Sequence, residues 1–156
     1  MFRLRCERVS PIFGMGPEAA AAVSRSDEQL DVISLTLPDA ARYVTVARIL
    51  VGGLAARLDL SYEALDDVQL AVETVLGERR LLPGGEITVE LAVSDGALVV
   101  DIGPVDGDAV RRSLADDDPL GLRIVLSAVV DAILVEQRDS TGWLRLVKRA
   151  HALPRE

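Results

Sequence analysis

The sequence predicts an α/β two-layer sandwich: a mixed, largely antiparallel sheet with helices on one face. Three observations carry this. Stretches with period-two alternation come in adjacent pairs joined by short turn segments, at residues 86–102 and 133–149. Two consecutive stretches between residues 38 and 77 instead repeat their apolar residues at helical spacing. The order is then strand, helix, helix, two strands, loop with a short helix, helix, two strands, which leaves each helix able to cover the same side of one sheet.

At 156 residues the chain is expected to form one domain with a core that needs no disulfide or metal staple. Residues 1–30 have no sustained period and contain Pro11, Pro17 and the run Ala19 to Ala22, so they read as an extension or arm with at most a short strand or helix. Its arginines and small residues raise the question of a signal peptide, but Glu7, Pro11, Gly14, Gly16 and Pro17 interrupt any apolar centre. Residues 31–149 are expected to be the folded domain and residues 150–156 a tail. No uncharged apolar run approaches the ~18–20 residues a bilayer span needs, and Cys6 is the sole cysteine, so a cytoplasmic protein without a membrane segment is expected. The net charge of -8 argues against direct nucleic-acid binding, which needs concentrated basic residues to neutralise phosphates.

Each element has its own local signal. In residues 31–37, Ile33, Leu35 and Leu37 alternate with Val32, Ser34 and Thr36, a strand. Pro38 and Asp39 then open a helix on which Tyr43, Val46, Ala47, Leu50, Leu54 and Leu58 share a face, weakened by Gly52 and Gly53 unless another backbone packs there. Ser61 is placed to cap a second helix over residues 61–77. At about 100° per residue, Leu65, Val68, Val72, Val75 and Leu76 form its stripe, with Glu73 and Gly77 together beside it. Pro83, Gly84 and Gly85 end the helical region; residues 86–93 and 97–102 form a hairpin around Ser94, Asp95 and Gly96. Residues 103–121 hold five aspartates, two prolines and three glycines around a brief helix at 109–114, as binding loops often do. Residues 122–130 read as a buried helix, and residues 133–138 and 142–149 as two strands turned by Asp139, Ser140 and Thr141.

Several chemistries are excluded by inventory. His151 is the sole histidine, so neither a serine triad nor a Cys/His metal site can be assembled. There is no Walker-type glycine loop with Lys-Ser or Lys-Thr. Asp106-Gly107-Asp108 lacks the later ligands of a calcium loop and reads as a turn and helix start. No metal site is predicted from the residues alone.

Four local segments resemble the anti-sigma factor and serine-protein kinase family typified by RsbW, within the GHKL ATPase superfamily of gyrase, MutL and the histidine kinases. The resemblance covers roughly residues 31–149. The first segment, LPDAARYVTVARILVGGLAARLDLSYEALDDVQLAVET, is similar to the family's first two helices, the second of which carries Glu-x-x-x-Asn. The resemblance implies that Glu73 is the catalytic base or water-positioner, with Gly77 standing where the magnesium-holding Asn belongs. Glycine has no side-chain oxygen, and a divalent cation needs hard oxygen ligands. The second segment, VVDIGPVDG, resembles the Asp-x-Gly-x-Gly box: Asp101 and Gly103 match and Val105 replaces the second glycine, so Asp101 is implied to accept from the adenine amino group. The third, DPLGLRIV, resembles the Gly-x-Gly-Leu box at a helix start: Gly121 and Leu122 match, Pro119 replaces the first glycine, and Arg123 adds positive charge for phosphate. The last, STGWLRLVKR, resembles the final Gly-Thr strand, with Gly142 matching and Trp143 in place of the adenine-binding Thr.

Each of these residues has an ordinary reading beside the implied one. Glu73 is a solvated edge residue, Gly77 a helix-ending glycine, Asp101 a turn aspartate and Trp143 a core residue. Asp116, Asp117 and Asp118 keep a loop soluble, but close to a phosphate site each would repel it, by about 4 kcal/mol for a pair at ~4 Å and an effective dielectric of ~20. The resemblance implies ATP and Mg2+ as cofactors, a sigma factor or an anti-anti-sigma protein as partner, and a homodimer through the N-terminal strand and first-helix region. The four departures from the family pattern lead to a regulatory partner-binding domain with ATP binding weakened or lost. The alternatives are an active ATP-dependent serine-protein kinase acting on an anti-anti-sigma partner, and a non-catalytic adenine-nucleotide sensor in which Trp143 stacks on the ligand.

Overall fold

A computed structural model describes residues 8–13, 32–57 and 60–150. Six strands, β1 (Arg8–Phe13), β2 (Ile33–Pro38), β3 (Glu86–Ser94), β4 (Ala97–Val105), β5 (Ala132–Arg138) and β6 (Thr141–Arg149), form one sheet in the order β1-β5-β6-β4-β3-β2. Every neighbouring pair is antiparallel. Four helices accompany it, α1 (Val44–Ala55), α2 (Tyr62–Gly77), α3 (Gly107–Ala115) and α4 (Leu122–Val129), with short 3-10 turns at Ala41–Tyr43 and Arg79–Leu81. This is the α/β two-layer sandwich the periodicities predict. Cys6, Leu58, Asp59 and His151 lie outside the described residues, as does most of the N-terminal extension; the strand allowed within it is β1, on the outer edge of β5.

Strand alternation divides the sheet into two chemically different faces. Leu98, Val100 and Ile102 of β4, with Leu144 and Leu146 of β6, join one core with Val68, Val72 and Val75 of α2 and Leu126 of α4. The intervening residues face the other way, where Ala97, Ala132, Leu134 and Val147 form a small separate cluster. The helix layer is tied down at specific points. Ser61 caps α2, its Oγ accepting from the Ala64 N–H at 3.2 Å, an interaction worth about 1 kcal/mol. Lys148 donates to the Val129 carbonyl at the C-terminus of α4 (3.0 Å) and to Asp67 of α2 (2.9 Å), where a cation also complements the helix dipole. Among the described residues no helix is long and apolar enough to cross a membrane.

Three boundaries differ from expectation for physical reasons. The first helix starts later than Pro38: Pro38 pairs with Glu86 at the end of β2, the Asp39 N–H donates to the Gly85 carbonyl, and the Asp39 carboxylate takes Arg79 at 2.5 Å. These contacts hold residues 38–40 on the sheet. β4 runs on through Gly103 to Val105, with an irregularity against β6 between Ile102 and Val105. The loop helix is longer, Gly107–Ala115, because the Asp106 carboxylate accepts from the Asp108 and Ala109 N–H groups, both at 3.0 Å. Gly52 is accounted for by packing, since a β-carbon there would stand 3.0 Å from Gln69 Nε2; Gly53 faces open space.

Both hairpins turn through two residues with positive φ: Asp95 and Gly96 at 48° and 72°, Asp139 and Ser140 at 48° and 67°. This geometry matches the twist of antiparallel strands and favours glycine at the second position. Ser140 sits there with a β-carbon. Ser140→Gly is expected to raise stability by roughly 0.5–1 kcal/mol in urea denaturation.

Candidate functional site

The residues singled out in the sequence fall into three places. Glu73 lies between α1 and α2, about one third exposed, its Oε1 accepting from Arg48 Nη1 at 3.1 Å. Gly77 ends α2, and nothing lies within 4 Å of where its β-carbon would be.

Asp101 belongs to the sheet face turned away from the helices. It stands opposite Glu90 of β3 and Arg145 of β6, so two carboxylates face each other directly, which is unfavourable by itself. Guanidinium groups resolve the conflict. Arg145 grips Asp101 with two bonds, Nε to Oδ1 at 2.7 Å and Nη2 to Oδ2 at 2.8 Å. Arg138 of β5 reaches Asp101 and also Glu90 Oε2, the latter at 2.8 Å. Glu136, fully buried, pairs through Oε1 with Arg145 at 2.8 Å and through Oε2 with Arg138 at 3.3 Å. Burial works against the charge of Arg138, but Asp101, Glu90 and Glu136 outweigh it and hold that guanidinium above its ordinary pKa. Trp143 completes the group: the Arg138 guanidinium lies 4.4 Å from its ring centre, and the ring rests where a β-carbon at Gly103 would be. Gly142 is required by packing as well, because its β-carbon would fall on the Val105 carbonyl oxygen.

Gly121 and Leu122 enter a cavity of about 360 Å³ bounded by the 79–81 turn, α3 and the start of α4. Gly121 lets the chain turn tightly, since a β-carbon there would stand 2.9 Å from the Asp118 carbonyl oxygen. No side chain caps α4. The cavity wall also carries Glu78, Asp106, Asp116, Asp118, Arg80 and Arg112. Four carboxylates thus face two guanidiniums. Glu78 Oε1 accepts from Arg80 Nε at 2.9 Å, which holds the Glu78 carboxyl below the usual range despite the opposing effect of burial. Arg123 does not line this space; it pairs with Asp117 at 2.9 Å. Among the described residues no group of three or more His, Cys, Asp or Glu side chains is placed to hold a metal ion.

The structure therefore brings Asp101, Gly103 and Trp143 together, brings Gly121 and Leu122 together, and leaves Glu73, Gly77 and Arg123 apart from both groups. Glu78, Arg80, Asp106 and Arg112 escaped the sequence reading because they lie outside the quoted motifs or read as helix ends. The ion-pair network did leave a signal along β6, where Trp143 and Arg145 alternate with Gly142, Leu144 and Leu146. Removing one partner of a buried pair strands the others' charge. Asp101→Ala is expected to cost about 3–5 kcal/mol by urea denaturation, against less than about 1 kcal/mol for Glu73→Ala, whose pair is exposed.

No protein-family model matches the chain. It is 36% identical over 75 residues to the serine-protein kinase RsbW of Listeria monocytogenes serotype 4a, covering 45% of this chain and 48% of that protein. The RsbW of Listeria innocua serovar 6a matches to the same extent. The chain thus spans about half the length of these curated relatives. The serine-protein kinase RsbW of Halalkalibacterium halodurans is 27% identical over 133 residues, covering 73% of this chain and 80% of that protein. With its two-layer sandwich, the chain is similar in sequence to curated proteins that all carry the name serine-protein kinase RsbW.

Proposed function

We propose that this chain is an RsbW-like anti-sigma regulatory domain that captures a sigma factor or an anti-anti-sigma protein, with ATP binding weakened or lost. The observation that carries the reading is Asp101. Both its oxygens are engaged by Arg138 and Arg145 on the sheet face opposite to the helix layer, so it is turned away from the cavity and already neutralised by guanidiniums. The cavity near the start of α4 adds a second obstacle. Its carboxylates outnumber its guanidiniums, which opposes a triphosphate. Trp143 is occupied by Gly103 and Arg138, which weighs against a sensor that stacks adenine on this ring. The residues present do not fit magnesium-ATP in the arrangement the resemblance implies. A homodimer through β2 and α1 is consistent with the exposed Ile33, Val46 and Ile49 on those elements.

The competing reading is an active serine-protein kinase, favoured by the name these relatives carry. It requires Glu73 to act as base, whereas Glu73 is paired with Arg48 and does not line the cavity.

Isothermal titration separates the two. The regulatory reading expects a complex with a sigma factor or anti-anti-sigma protein encoded beside this chain, formed without nucleotide, and no micromolar binding of magnesium-ATP. Micromolar binding together with labelled-phosphate transfer to an anti-anti-sigma protein, abolished in Glu73→Ala, would establish the kinase instead.

A further inference from the structure

One carboxylate of the cavity next to α4 is held differently from the others. Of its four carboxylates, three are committed to backbone N–H groups of the same loop: Asp106 to Asp108 and Ala109, Asp116 to Asp118, and Asp118 to Leu120. Glu78 differs. Its carboxylate is held by a cation, Arg80, at 2.9 Å. Arg80 and Arg112 are the two guanidiniums on the cavity wall. One glutamate therefore places a negative charge in the cavity and also occupies one of the two groups best suited to grip a phosphate.

We propose that Glu78, rather than the missing side-chain oxygen at Gly77, is the specificity-determining residue of this cavity, and that its pairing with Arg80 excludes phosphate esters. The inference rests on the reading that nucleotide binding is weakened, and it adds the residue responsible. Glu78 is isosteric with glutamine, which keeps the size but removes the negative charge and weakens the hold on Arg80. Because Asp101 is engaged elsewhere, the phosphates gain and the base does not. The restored affinity is then the same for any nucleoside triphosphate and for tripolyphosphate.

The test is equilibrium binding of ATP, GTP and tripolyphosphate, each with Mg2+, at low salt. The proteins compared are the full chain, Glu78→Gln, the double variant Glu78→Gln with Arg80→Ala, and Gly77→Asn. Expected is an affinity for all three ligands roughly tenfold or more above the unmodified chain in Glu78→Gln, lost again in the double variant and absent in Gly77→Asn. The Glu78 side chain is 29% exposed and that of Arg80 82%, so the pair contributes little to folding and the variant is expected to keep its circular dichroism and melting midpoint. Glu78→Ala serves as the second variant if it does not. Weak binding by the unmodified chain and by both Glu78 variants overturns this inference alone, as does a gain confined to ATP or one produced by Gly77→Asn. Micromolar magnesium-ATP binding by the unmodified chain overturns the proposed function with it.

Discussion

Two guanidinium groups shared among three carboxylates tie together the four central strands of this sheet. Arg138 and Arg145 draw on Glu90 of β3, Asp101 of β4 and Glu136 of β5, and they do so where water is nearly excluded. Buried ion pairs of this kind seldom add stability over well-packed apolar side chains, because desolvation offsets their attraction. Their contribution is discrimination. A one-residue slip of β4 would turn Asp101 into the apolar core under α2 and strand both arginines, so the network penalises every register but one.

The same constraint separates the chemistry of the two faces. Asp101 must lie on the side of the arginines, so Val100 and Ile102 lie on the side of the helices. Gly103, Gly142 and Trp143 follow from it as packing residues, two glycines admitting the ring and the β4 carbonyl at the end of the network. The helix side has a polar hollow at its end, beside Glu78 just after α2 and Gly121 just before α4. Asp101 thus serves this sheet as a structural ion-pair partner.

The hollow itself is governed by short-range charge. Three of its carboxylates take backbone N–H groups in the loop between β4 and α4, so they shape the loop while making its surroundings negative. The fourth, Glu78, neutralises a neighbouring arginine. Carboxylates outnumber guanidiniums on its wall, which disfavours a polyanion there.

The sequence by itself determined the element order, the two hairpins, the Ser61 cap and the apolar stripe of α2, because each depends on periodicity or on neighbours within about four residues. In β4, Asp101 faces away from Leu98, Val100 and Ile102, as strand alternation requires. What the tertiary structure alone decided was what Asp101 meets there. Its partners Arg138 and Arg145 lie 37 and 44 positions away, brought close by the order β5-β6-β4-β3 and its registers. The local Glu78–Arg80 pair likewise meets Arg112 and Gly121 only through the packing of the elements that carry them. Local patterns are set by backbone geometry, but which charges become neighbours is set by strand order and burial, and no local pattern encodes that.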